Sequence, residues 1–186
     1  MIHGKSQHNV PGEVSAYLRT FKVHVEEGNW VQLNVEALKT YERSLSDAGS
    51  LWHAAKLTES GADMLLGNGF YDEAHDLYRI AALRYFGLAF KESRMDGNFI
   101  DASALFDRSA RIYGGILGDE KMYLTAMQAS AECLTEEAKA GSSILSVMLL
   151  DRAAEYYRRI GDVEHYAECA LESGLMRNDI IEEKRD

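Results

Sequence analysis

The chain has 186 residues, 46% of them hydrophobic and 27% charged, a globular balance that argues against disorder over most of the length and lets one domain bury its own core. With 30 acidic and 20 basic residues the formal charge is −10, and the resulting field repels phosphates and anionic lipid, disfavouring nucleic acid and membrane as partners. No apolar run approaches the roughly 18 residues of a membrane span, and Met1 to Gly12 lacks the apolar core of a secretory leader, so the expected location is the cytoplasm.

The single proline, Pro11, belongs near the first turn of the first helix, where a missing N–H costs little. Beyond it apolar residues recur at three- and four-residue steps and nowhere alternate, which predicts helices throughout. A first helix at about 12–26 carries Val14, Tyr17, Leu18, Phe21 and Val25 and stops at Gly28. A second, about 29–48, places Trp30, Leu33, Ala37, Leu38, Tyr41 and Leu45 on its stripe, before Gly49-Ser50 as stop and N-cap. The third runs to about 66 with Leu51, Ala54, Ala55, Ala62, Leu65 and Leu66, closed by Gly67-Asn68-Gly69.

The fourth, about 71–94, has the clearest stripe: Ala74, Leu77, Tyr78, Ala81, Ala82, Tyr85, Leu88 and Ala89. Asp96-Gly97-Asn98 separates it from a fifth at about 99–117, with Phe99, Ala102, Phe106, Ala110, Tyr113 and Leu117 on one side. After Gly118-Asp119 a sixth, about 119–139, shows Met122, Ala126, Ala129, Cys133 and Leu134. Gly141 and Ser142 precede a seventh at about 143–160, and Gly161-Asp162 leads into an eighth at about 162–177 with Ala167, Ala170 and Leu171 inward. Residues 1–11 and 179–186 are expected as polar tails flanking one helical domain over 12–178. The short connectors require antiparallel neighbours.

Stripes repeat. Gly69, Ala74, Ala82 and Tyr85 recur 28 residues later as Gly97, Ala102, Ala110 and Tyr113. Asp107-Arg108-Ser109-Ala110, Tyr113 and Gly118-Asp119 are echoed by Asp151-Arg152-Ala153-Ala154, Tyr157 and Gly161-Asp162. Small residues at fixed places let neighbouring helices approach, with a tyrosine filling the space beside them, as in helical solenoids.

The stretch Gly69 to Ala74 with Leu77-Tyr78, Ala81-Ala82 and Tyr85 resembles the tetratricopeptide repeat. Asp151 to Asp162 resembles the longer variant of the soluble NSF attachment proteins, and Ala54-Ala55-Lys56 through Gly61-Ala62 fits the same style. The resemblance covers about residues 51–174. It implies an all-α fold of about eight antiparallel helices stacked as a right-handed α-α superhelix, and a protein-interaction scaffold without chemistry or cofactor of its own. The spacings of 28 and 44 straddle the usual 34-residue unit, so the pattern assigns neither the helix pairs nor the concave face.

No residue set carries a reaction. Gly4-Lys5-Ser6 matches the end of a phosphate-binding loop without its upstream glycine or strand and reads as tail. Asp72-x-x-His75 and Asp162-x-x-His165 have the spacing of helical-bundle metal ligands, but the assigned stripes keep both histidines off the core faces, so no metal is expected. His3, His8, His24 and His53 have no Ser, Cys or Asp at a motif spacing. Cys133 and Cys169 read as buried reduced thiols. Tyr78, Tyr85, Tyr113, Tyr156 and Tyr157 read as core rather than groove.

Basic islands on an acidic chain remain. Arg79, Arg84, Arg108, Arg111, Arg152, Arg158 and Arg159 either clamp a partner carboxylate or pair with neighbouring acids on solvated faces. Arg108 and Arg152, placed equivalently by the repeat, with Arg111 and Arg84, are the candidate partner-binding residues. The expected function is an adaptor that binds a peptide or helix of another protein. The alternatives are a homodimer formed through an exposed apolar stripe, and a ligand- or metal-binding helical bundle.

Overall fold

The computed structural model describes residues 12–141 and 143–183. Pro11, Gly4-Lys5-Ser6, His3, His8 and Ser142 lie outside them, as do Lys184, Arg185 and Asp186. The fold is all-α. Among the described residues there are eight helices: α1 (Gly12–Glu26), α2 (Val31–Asp47), α3 (Leu51–Gly67), α4 (Tyr71–Lys91), α5 (Phe99–Ile112), α6 (Glu120–Lys139), α7 (Ile144–Ile160) and α8 (Val163–Glu183). None is long and apolar enough to cross a membrane.

The punctuation read from the sequence holds because it is local chemistry. Gly28, Gly49, Gly69, Gly97, Gly118 and Gly161 follow helix ends with positive φ, the left-handed backbone that glycine adopts without a Cβ penalty. Asp119 caps α6 by accepting from the Met122 N–H at 3.0 Å, and Asp162 does the same for the His165 N–H at 3.2 Å. α4 and α5 do not end as regular α-helix: each closes in a π turn, Glu92–Asp96 and Tyr113–Leu117. The Asn98 N–H reaches the Glu92 carbonyl at 2.9 Å and the Asp119 N–H the Tyr113 carbonyl at 2.8 Å, so each wide turn is sealed across its left-handed glycine.

The chain forms two compact units that divide within α4, one up to Arg84 and one from Tyr85. In the first, α3 packs on α1 and α2, and Gly61 marks where the helices converge. A Cβ there would lie 2.6 Å from Leu38 Cδ1, 3.2 Å from Leu77 Cδ1 and 3.6 Å from Phe21 Cε1, a space that only glycine leaves open. Leu38, Leu57, Leu65 and Leu77 are fully buried around it.

In the second unit α5, α6, α7 and α8 pack in sequence. Alanines Ala110, Ala126, Ala131, Ala153 and Ala154 bring backbones close, and Met127, Leu134, Leu150, Tyr156 and Tyr157 fill the remaining volume. Where α5 meets α6, the Ser103 and Ser130 hydroxyls lie 2.9 Å apart, and Ser130 also donates to the Ser103 carbonyl at 3.1 Å. Two buried polar side chains thus satisfy one another.

Two stripes differ from expectation. On α2 the buried line is Val31, Val35, Leu38 and Glu42, while Trp30 (77% exposed) and Leu33 (67%) face outward. On α8 the inward residues are Cys169 and Ser173, and Ala167, Ala170 and Leu171 are exposed. Both helices carry apolar residues on more than one face, and the neighbours decide which face is covered. α8 also continues to Glu183, beyond the expected end near 177.

Candidate functional site

The four candidate arginines occupy three settings. Arg84, in the first unit, donates from Nε to Glu42 at 2.5 Å, linking α4 to α2 across 42 residues. That carboxylate is only 2% exposed, so the guanidinium supplies the counter-charge its burial demands. Arg108 lies 5.3 Å over the Tyr85 ring, a cation–π contact. Arg111 and Arg152 converge: Arg111 pairs with Asp107, and Arg152 Nη2 sits 3.9 Å from the same carboxylate. Arg152 also donates to the Tyr156 hydroxyl at 2.8 Å, and that hydroxyl donates to Asp107 at 3.2 Å. The carboxylate that these two arginines clamp is the chain's own.

The repeat therefore conserves position and changes partner. Asp107 is met by α7, whereas its echo Asp151 is met by α8, through the Ser173 hydroxyl at 2.6 Å and the Arg177 guanidinium. Arg108 and Arg152 are equivalent in the pattern, yet one stacks on α4 and the other leans on its own helix, 5.4 Å over Tyr156.

The five tyrosines read as core are buried, from 0% exposed at Tyr85 to 6% at Tyr156. Burial holds the Tyr157 hydroxyl up at about 12. Asp162 and His165 face each other, Nδ1 2.8 Å from Oδ2, with the imidazole stacked on Tyr157 at 5.1 Å. Among the described residues no group of three His, Cys, Asp or Glu side chains could hold a metal ion.

An open cleft lies in the second unit. Its volume is about 540 Å³, and it is lined by Phe86 and Phe90 of α4 and by Phe99 and Phe106 of α5, together with Ser93 and Arg94 of the first π turn and Cys133, Glu132 and Glu136 of α6. Phe86 meets Phe106 edge-on, ring centroids 5.0 Å apart, so the deepest aromatics are locked against each other. Phe90, in contrast, is 55% exposed at the lip. The π turn contributes Ser93 and Arg94 to the lining, and the Arg94 guanidinium sits 5.8 Å over the Phe90 ring.

The cleft's one thiol is held in its protonated form. Burial and the Glu132 charge push Cys133 up to about 11, while a hydrogen bond with Ser93 and the charge of Arg94 pull weakly the other way. The thiol stays protonated at neutral pH and forms part of an apolar wall. Cys169 is likewise buried and raised, mainly by burial, its sulfur 3.6 Å from the Thr135 hydroxyl.

None of the four arginines chosen from the sequence lines this cleft. Phe86 and Phe90 lie on no stripe that the sequence predicts, and Phe99 and Phe106 lie on one that predicts core. The available signal was Phe86 and Phe90, one turn apart and off the Ala/Tyr stripe of α4, a second apolar line on a helix that already had one. No protein-family model matches the chain, and no curated protein matches it.

Proposed function

We propose that this chain is a tetratricopeptide-like interaction module, without chemistry of its own, that binds a peptide or helix of another protein in the cleft between α4, α5 and α6. The observation that carries the reading is the cleft itself: four phenylalanines facing about 540 Å³ of open space, a size and lining suited to a bulky apolar side chain. Links between helices two apart, Glu42 to Arg84 in the first unit and Asp107 to Tyr156 in the second, support repeat-like packing within each unit. The arginine face around Asp107 is the rival site.

The test compares proteins retained from a lysate of the native organism by wild type, by Phe90→Ala/Phe99→Ala and by Arg108→Glu/Arg152→Glu. A partner kept by the arginine variant and lost with the phenylalanine variant supports the cleft. The reverse moves the site to the arginine face, and a wild type that retains nothing removes the adaptor reading.

Self-association is the second reading, favoured by the exposed line of α8: Val163 (74% exposed), Ala167, Ala170 and Leu171 (66%). A second copy would cover such a line. Sedimentation across a hundredfold concentration range, on the order of 1 to 100 μM, reads it directly; a constant monomer mass excludes it.

A further inference from the structure

We infer that the cleft selects its partner by charge, taking a segment in which a bulky apolar side chain has a lysine or arginine about one helical turn away. This deepens the cleft reading and rests on it. The floor is neutral and aromatic, and the protonated Cys133 adds no charge to the wall. The lip is acidic: Glu132 and Glu136 stand four residues apart on α6, hence on the same face one turn apart. Glu132 accepts from the neutral Gln128 amide at 3.1 Å, which leaves its charge in place. Glu136 meets Lys139 at 2.7 Å, but both side chains are more than half exposed, so that pair is weak and exchangeable.

The cleft already displays the contact it would offer. Arg94, the one cation among the lining residues, rests on the Phe90 face, as a guanidinium does when ring quadrupole and charge attract. An incoming basic side chain would meet the same aromatic surface with two carboxylates beside it, while an acidic one would meet those carboxylates as like charges. The chain's overall charge of −10 steers cations toward it at long range, and the lip decides where they settle.

Two labelled synthetic helices test this. Both are about 14 residues long and share one leucine face; lysines occupy the polar face of one and glutamates that of the other. Fluorescence anisotropy is recorded with the full chain. The lysine helix is expected to bind at least about tenfold more tightly, a difference of about 1.4 kcal/mol. With Glu132→Gln/Glu136→Gln that preference should fall to about twofold or less. Glu164→Gln/Glu168→Gln, which removes the same charge from exposed α8, should keep it. Circular dichroism confirms that each variant folds.

If the preference survives in Glu132→Gln/Glu136→Gln, or disappears equally with the α8 pair, charge selection by the lip is wrong. Phe90→Ala separates the two levels. If it weakens both helices several-fold the cleft reading stands whatever the acids do, and if it weakens neither, the cleft reading and this inference fall together.

Discussion

Glu42 and Asp107 solve one problem in two ways. Each is an acid on one helix held by a residue two helices on, Glu42 by Arg84 and Asp107 by Arg152 and Tyr156. Glu42 is 2% exposed and Arg84 supplies its charged donor. Asp107 sits nearer the surface and shares its charge among Arg111, Arg152 and the Tyr156 hydroxyl. Identical chemistry thus differs in consequence, because removing a partner matters in proportion to how little water can replace it.

The largest expected effect is Arg84→Ala. It leaves a carboxylate buried without that donor and should cost about 3 kcal/mol, read as a drop in the urea midpoint at constant slope. Arg84 is partly exposed, which holds the figure at the low end. A loss under about 1 kcal/mol would mean that Glu42 finds water, and the contrast with Asp107 would collapse.

Next is Tyr156→Phe. It deletes one buried donor to Asp107 while keeping the ring in the core, and should cost about 1 kcal/mol in the same assay. Arg152→Ala should cost less, about 0.5 kcal/mol, since Arg152 is half exposed and Asp107 keeps Arg111 and Tyr156. A salt series sharpens this further. Raising sodium chloride from about 0.05 M to 0.5 M should erase most of the Arg152→Ala effect and little of the Arg84→Ala effect, because exposed charges are screened and buried pairs are not. Equal salt dependence would break the comparison.

The smallest effect lies at the start of α8. The Asp162 carboxylate beside it raises the His165 imidazole above its ordinary 6.5. A raised folded value means that the contribution of the charged imidazole is fully present below about pH 6.5 and is lost as pH rises through the folded midpoint. An NMR titration should place the His165 midpoint above 6.5, and Asp162→Asn should bring it down toward that value. An unchanged midpoint in the variant would assign the shift to something other than Asp162.

What the sequence determined by itself is local. The α4 stripe from Ala74 to Ala89 and the glycine stops were legible because the helical period and φ > 0 act within a few residues. The burial of Tyr78, Tyr85, Tyr113, Tyr156 and Tyr157 was legible for the same reason, as large side chains on otherwise small-residue stripes. The tertiary structure decided everything that depends on a second helix. It chose between Val31/Val35 and Trp30/Leu33 on α2 and between Cys169/Ser173 and Ala167/Ala170 on α8, where each face offers residues that could be buried and only a neighbour breaks the tie. It turned the arginines of a repeated motif to different partners, since equivalence along the chain does not make the facing helices equivalent. And it assembled a cleft from phenylalanines 86, 90, 99 and 106 with the acids of α6, residues whose convergence follows from how three helices pack and from no spacing within any one of them.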